Sequence, residues 1–308
     1  MAKPSLRQLE YLVVLAATLN FRKAAAEAHV SQPTLSGQIS ELERRLGLAL
    51  FERSRHSVKL TPMGKTVADR ARQLLKDVDD LCELARSAGT GLGGVIRLGV
   101  PPTLGPYLLP HVVPELHGAY PDLKLYVREE PPRILERSLA EGLHDLLLTT
   151  TPVIAGDFTT RDLFREPLLV GLAQDHPLAG RGRIRIKDLA GQSVLALGAG
   201  HRLYEQVQQL AESFGAKLLS DYEGTSLATL RQMVGMGMGL SFFPALYVQS
   251  EMTNDRQVLA MRLADHSPDR TVGLVWRKGS PREADFQFVA AAVDRVVRRR
   301  FRKILTPL

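Results

Sequence analysis

The apolar residues Val67, Ala71, Leu74, Val78, Leu81 and Ala85 recur at spacings of four, three, four, three and four. An unbroken register of that kind specifies a helix with one narrow apolar seam, suited to pairing with a second helix. Thr61 and Pro62 open it, a capping hydroxyl followed by a proline whose missing N–H costs nothing at a first turn. At about 1.5 Å per residue, roughly 27 residues span about 40 Å, far more than a connection between domains needs. Leu75 and little else lies off the seam. Residues 61–90 are therefore expected to form a linker and dimerisation helix, with Val67, Ala71, Leu74, Val78 and Leu81 at the contact. The stretch Ser87 to Gly94 (SAGTGLGG) ends the helix and supplies a hinge.

The 60 residues before that helix read as three short helices and a wing. Leu6, Leu9, Leu12, Val13 and Ala16 form one helical face. Asn20 caps a second helix, Phe21 to His29, whose Ala24, Ala25 and Ala28 permit close packing. Ser31 caps a third, from Gln32 to about Leu46, with Pro33 near its first position. It buries Leu35, Ile39, Leu42 and Leu46 and presents Gln32, Thr34, Ser36, Gly37, Gln38 and Ser40, short and polar, on the other side. Phe51 to Leu60 (FERSRHSVKL) fits a two-stranded basic wing.

From Val95 onward strand and helix patterns alternate, which predicts an α/β domain. Strands are expected at 95–100, 124–128, 145–149, and near 168–173, 193–197, 217–222, 239–243, 257–262 and 271–276. Helices are expected through Leu108 to Leu116, over Ile134–Leu143, and over Phe286–Arg300 at the end. The expected division is 1–60, 61–90 and 91–308, the last split into subdomain I (about 91–165 plus 267–308) and subdomain II (about 166–266).

Charge and composition narrow the function. Residues 1–60 carry nine Lys/Arg against five Asp/Glu, and residues 291–308 carry six against one. The two basic ends flank a slightly acidic middle. A basic terminal module fits a polyanion, phosphate backbone being the commonest. The final run, Arg295 to Lys303 (RVVRRRFRK), is either a solvated helix end favoured by the helix dipole or a contact for DNA or a neighbouring subunit. No run of about 18 apolar residues offers a membrane span, and MAKPSLRQLEYL lacks a signal pattern. The single cysteine, Cys82, excludes an intrachain disulfide and any multi-cysteine metal site. No metal-ligand cluster, nucleophile elbow or phosphate loop appears, and Gly235-Met236-Gly237-Met238-Gly239 follows a helix and so reads as a turn. A cytoplasmic protein that is not an enzyme and has no cofactor is expected.

The series Phe21-Arg22-Lys23-Ala24-Ala25, Val30-Ser31-Gln32-Pro33-Thr34-Leu35-Ser36, Ile39, Leu42-Glu43, Leu46-Gly47, Leu50-Phe51-Glu52-Arg53 and Leu60-Thr61-Pro62 with Gly64 resembles the winged helix-turn-helix of LysR-type transcriptional regulators. The helix chemistry agrees. An α-helix fits the major groove, its first polar residues reaching base edges. Gln32, Thr34, Ser36 and Gln38 suit base or phosphate contacts, and Arg53 and Arg55 on the wing suit phosphate or minor-groove contacts. By likeness Gln32, Pro33, Ser36 and Arg53 take the family's contact positions. The resemblance extends over the chain through Pro102-Thr103-Leu104-Gly105-Pro106-Tyr107-Leu108-Leu109-Pro110, Thr225-Ser226-Leu227, Thr229-Leu230-Arg231, Arg270-Thr271-Val272-Gly273-Leu274-Val275 and Gly279-Ser280-Pro281. These stretches, and Gly37 where many family members carry arginine, are most similar to the peroxide-responsive OxyR branch. What this implies is a C-terminal, periplasmic-binding-protein-like effector domain of two α/β subdomains. It also implies double-stranded promoter DNA and RNA polymerase as partners, and self-association to a dimer and tetramer.

One departure decides the expected signal. OxyR-type sensors place a reactive cysteine directly after a histidine; here Arg202 follows His201, and the resolving position falls near Ala211. A disulfide switch needs two thiols, so it is rejected, leaving an indirect response or one through Cys82 as the alternative. Cys82, beside Leu81, reads as small apolar filler, with Asp79, Asp80 and Glu83 opposing thiolate formation. A small polar or anionic effector is expected instead, in a cleft lined by Pro102, Thr103, Gly200, His201, Arg202, Thr225 and Ser226, where strand ends lead into helix N-termini. Singly, Thr103, His201 and Ser226 equally suit plain helix starts. Arg202 either counters an anion or faces solvent. The branch's peroxide pocket uses a hydroxyl where Pro132 stands, which argues against peroxide as the ligand.

Overall fold

Side-chain caps set the first three helices. Ser5 Oγ accepts from the Gln8 amide at 3.2 Å and Gln8 Oε1 accepts from the Ser5 amide at 3.2 Å, a reciprocal box that opens α1 (Leu6–Thr18). Asn20 Oδ1 accepts from Lys23 N at 3.0 Å to open α2 (Phe21–Glu27), and Ser31 Oγ accepts from Thr34 N at 3.3 Å to open α3 (Gln32–Leu46). α2 stops short of the expected His29. That residue adopts a left-handed φ of 54°, and Val30 N turns back to Ala25 O at 3.0 Å, so the chain reverses at once into α3. The computed structural model describes residues 3–54, 57–87, 93–153, 156–265 and 268–308. Arg55 and residues 88–92 of the expected hinge lie outside the described residues, as do the side chains of Asp80, Glu83 and Ala85.

The chain divides into two compact units, Met1–Gly89 and Thr90–Leu308. In the first, Leu12, Leu15, Leu35, Ile39, Leu42 and Leu50 are fully buried. Leu6, expected on the buried face of α1, is 47% exposed; Gln8 and Tyr11 are buried there with Leu9, Leu12 and Leu15. Strands β1 (Phe51–Arg53) and β2 (Val58–Leu60) pair antiparallel as the wing. Helix α4 (Pro62–Ser87) starts against the end of α3's domain: Thr61 N donates to Leu50 O at 3.0 Å, Thr61 Oγ1 donates to Ala49 O at 2.9 Å, and Gly64 N donates to Thr61 Oγ1 at 2.8 Å. A Cβ on Gly64 would stand 2.0 Å from Leu50 O, so only glycine allows this approach.

The expectation that α4 has little off its seam is corrected. Ala68 and Ala71 are buried in the unit's own core, with Val67 and Leu75 packed beside them, because α4 lies along α1. Farther along, Leu74 and Leu81 are 52% and 63% exposed. Cys82 is exposed as well, and within this chain its thiol packs into no core.

The second unit is built on crossing strands. β3 (Gly94–Val100) runs parallel to β4 (Leu123–Glu129) and to β5 (Leu146–Thr151), with α5 (Gly105–Ala119) and α6 (Pro132–Ala140) between them. The period of two along β5 distributes its leucines: Leu146 and Leu148 join the large core under α5, while Leu147 packs with Leu135 and Leu139 of α6. β6 (Phe158–Ala173) is one 16-residue strand, so the strand expected near 168–173 is only its last part. It passes through the subdomain boundary expected near 166. Its first nine residues include Thr159, Thr160, Arg161, Asp162, Arg165 and Glu166, polar residues that hide a strand from hydropathy.

Beyond β6, β7 (Ser193–Leu197), α7 (Arg202–Ser213), β8 (Lys217–Gly224), α8 (Leu227–Gly235), β9 (Ser241–Pro244), the short α9 (Ala245–Tyr247) and β10 (Val258–Met261) build the second subdomain. β9 and β10 pair antiparallel with the far half of β6, and β7 and β8 pair parallel. Leu195, Phe242, Phe243, Leu230 and Val207 sit in its core. β11 (Asp269–Arg277) returns to the first subdomain between β5 and β6, followed by α10 (Glu283–Val296), a π-helical turn at Val297–Phe301, and β12 (Thr306–Pro307) on β6. The basic run is partly tied down within the unit. Arg295 Nε and Arg299 Nη2 donate to Glu115 of α5 at 3.1 and 2.8 Å, and together they hold its carboxyl below the usual range, the Arg295 hydrogen bond contributing most.

Candidate DNA-contact surface and regulatory cleft

The start of α3 combines an exposed polar face with a buried apolar one. Gln32, Pro33, Thr34, Gly37 and Gln38 are exposed and Ser36 is half-buried, while Leu35, Ile39 and Leu42 anchor the helix beneath them. Pro33 sits in the first turn, where it gives up no hydrogen bond. The cap ties Ser31 Oγ to Thr34 Oγ1 at 2.7 Å as well as to its amide. Gln8, buried in α1, donates through Nε2 to Gln38 Oε1 at 3.1 Å. The Gln38 side chain is thus fixed from behind by a residue that the sequence reading did not single out. The N-terminal peptide dipoles add partial positive charge at this end.

Arg53 is held rather than free. Its Nη2 donates to Glu43 Oε2 at 2.6 Å, its Nη1 to Ser40 Oγ at 3.3 Å, and its guanidinium lies 5.2 Å from the Phe21 ring centroid. Glu43 Oε1 meanwhile accepts from Leu50 N and Phe51 N at 2.9 and 3.1 Å. Glu43 therefore fastens the wing strand to α3 and orients the arginine, leaving part of the five-donor fork for another acceptor. The signal was present in the sequence as Leu42-Glu43, but it carried no geometry. Beside this surface an apolar groove between α1 and α4 is lined by Leu6, Leu9, Leu46, Val67, Leu74 and Val78.

In the second unit the expected cleft residues fall into separate networks. Thr103 is buried. Its Oγ1 and O accept from Arg270 Nη1 and Nη2 at 3.1 and 2.9 Å, and α5 starts two residues later without a side-chain cap. Arg270 also pairs with the fully buried Glu166, whose Oε1 takes the amide of Leu246 at 2.8 Å. This arginine and glutamate join β6, β11, α9 and the turn before α5. Neither was expected as a site residue, because a charged pair inside a strand looks like solvent-facing polarity in a sequence. Ser226 acts as a cap, accepting from Thr229 N at 3.1 Å. Thr225 and Gly200 are exposed and Pro102 is half-buried.

His201 precedes α7 without capping it, and its Nδ1 is buried with no partner. Burial holds its pKa below the usual imidazole value. Arg202 neither faces solvent nor waits for an anion. Its Nη2 donates to Glu136 of α6 at 2.7 Å and its Nη1 to the carbonyls of Thr150, at 3.3 Å, and Pro152. Ala211, near the expected resolving position, is buried in the apolar face of α7. The register Thr151↔Thr271 and Thr150↔Val272 places the Arg202 and Arg270 networks at the same end of the sheet, beyond the carboxyl ends of β3 and β5.

Comparison with known proteins follows this division. Residues 6–65 match the bacterial regulatory helix-turn-helix family of lysR type, and residues 89–297 match the LysR substrate-binding domain family. The chain is 40% identical over 301 residues, 98% of both chains, to the DNA-binding transcriptional dual regulator OxyR of Escherichia coli K12. Among solved structures it is similar to a full-length OxyR variant from Pseudomonas aeruginosa, with TM-score 0.78, 33% identity and 95% of both chains covered. It is also similar to a hydrogen-peroxide-bound OxyR variant from Corynebacterium glutamicum, with TM-score 0.67, 29% identity, and 96% of this chain and 94% of that one covered. Among the described residues no helix is long and apolar enough to cross a membrane.

Proposed function

Because the chain belongs to the LysR family and is a DNA-binding transcription regulator resembling OxyR, we propose that α3 reads promoter DNA through Gln32, Thr34, Ser36 and Gln38. Pro33 fits against the backbone, and Arg53 and Arg55 contact phosphate or the minor groove. The observation that carries this reading is the exposed, capped, short-chained polar turn of α3, set rigidly over Leu35, Ile39 and Leu42. Side chains of that length approach base edges closely, and the buried face limits their wander.

The groove between α1 and α4, with Leu74 exposed in its lining and Leu81 exposed beyond it, supports pairing of two chains through α4. Paired recognition helices then face successive major-groove turns about 34 Å apart. Two such dimers form a tetramer. A small effector at the strand ends of the second unit biases their arrangement, with RNA polymerase as the downstream partner and no disulfide chemistry. A bias of this kind needs a few kcal/mol of differential affinity. The test is selection from a random duplex library by the full-length protein. An interrupted palindrome with half-sites one helical turn apart is expected; a library that emerges without a sequence preference contradicts the proposal.

A further inference from the structure

α6 and α7 belong to different subdomains of the second unit, and they meet with charges of reciprocal sign. Arg133 and Glu136 stand one turn apart on α6, and Arg202 and Glu205 one turn apart on α7. Arg202 Nη2 lies 2.7 Å from Glu136, and Arg133 Nη2 lies 3.5 Å from Glu205. The second pair is largely exposed, and pairs of that kind contribute little. The first is different. Arg202 and Glu136 keep 21% and 15% side-chain exposure, and the same guanidinium also donates to the carbonyls of Thr150 and Pro152.

Glu136 and the two carbonyls converge as three acceptors. A carboxylate and two carbonyl oxygens repel one another unless a donor group stands between them. The group that answers all three at once is a planar cation with N–H bonds in a fixed fork. An ammonium ion lacks the planar reach, and an anion is excluded by the sign of the site.

We propose that Glu136 with the carbonyl oxygens of Thr150 and Pro152 forms a guanidinium-binding site, and that the chain fills it with its own Arg202 as a tethered ligand. The side chain spans the cleft from α7 to α6 and β5, so occupancy holds the two subdomains in one arrangement without any external molecule. This deepens the regulatory reading of the second unit and rests on it. The expected small anion does not compete at this site; a free guanidinium does, once the tether is cut. Tethering through a short linker corresponds to an effective concentration on the order of millimolar, which sets the concentration a free competitor needs.

The experiment removes the tethered group and supplies a loose one. Full-length Arg202→Ala is expected to melt about 5 °C below the parent protein. It should regain more than half of that loss in guanidinium chloride at roughly ten millimolar, the scale set by the tether. Sodium chloride and tetramethylammonium chloride at equal ionic strength should restore nothing. The footprint on a library-selected operator is expected to change in length in Arg202→Ala and to revert with guanidinium. Arg202→Lys should keep part of the stability, and Arg202→Ala with Glu136→Ala should lose the rescue. Parental melting of Arg202→Ala, rescue by sodium chloride alone, or equal rescue of the double variant overturns the proposal. Should Arg202→Ala fail to fold, Glu136→Gln gives the decision: a lowered melting temperature supports the site, and an unchanged one overturns it. A parent protein that selects no operator would instead overturn the regulatory reading, leaving the melting results to judge the guanidinium site alone.

Discussion

Replacing Glu166 by alanine tests the buried network that joins the two subdomains. Glu166 and Arg270 are 0% and 2% exposed, and their charged atoms lie 2.8 Å apart. Removing one partner of a buried pair costs about 3–5 kcal/mol, because the other charge stays uncompensated. The Leu246 amide also loses its acceptor, worth about 1–3 kcal/mol in isolation. Both effects act through one carboxylate, so they do not add fully, and about 4 kcal/mol is a fair total. For a unit of this size that corresponds to a melting temperature lower by about 8–16 °C. Differential scanning calorimetry on the full-length protein reads it directly. Glu166→Leu with Arg270→Met removes both charges and should recover most of the loss, since an apolar pair of similar volume tolerates the site. A single variant melting within about 2 °C of the parent would refute the claim that this pair is buried and unreplaced by solvent.

Other expected outcomes concern separate parts of the chain. Gly64→Ala forces a Cβ against Leu50 O, so the N-terminal unit should lose at least about 1–3 kcal/mol in urea unfolding; unaltered stability would contradict the close approach. His201 has its pKa lowered from 6.5 by burial, so the folded chain resists a proton that the unfolded chain accepts. Its contribution is complete above that value and is lost as pH falls through the lowered one. His201→Gln should flatten that acid-side slope in urea melts, and an unchanged slope would remove the histidine from the account. Cys82→Ser should leave operator binding and its response to hydrogen peroxide as in the parent protein, measured by gel shift; a lost response would restore the thiol to the mechanism.

The N-terminal unit was legible almost residue by residue, because its helix boundaries are written in local chemistry. Asn20, Ser31 with Pro33, and Thr61 with Pro62 all act within four residues of themselves, as does the Ser5–Gln8 box, which went unread. Leu6 and the packing of Ala71 were misread because tertiary contact with α4 decides which part of an amphipathic face is covered. In the second unit, the unbroken apolar run Leu146-Leu147-Leu148 disclosed β5, whereas the first half of β6 stayed hidden. Its buried Glu166 answers Arg270, a residue 104 positions away. The same holds for the cleft. The departure at Arg202 was visible in the sequence, but its partners Glu136, Thr150 and Pro152 are brought to it only by the fold.

Base reading by α3 is tested most directly by the ratio of affinities for a selected operator and a scrambled duplex of equal length, measured at one salt concentration in parent and Gln32→Ala proteins. A bidentate base contact is worth about 1–3 kcal/mol of discrimination. The ratio should therefore fall by roughly 5- to 150-fold in the variant while affinity for the scrambled duplex stays unchanged. A variant that keeps the parental ratio would show that this end of α3 does not read the bases.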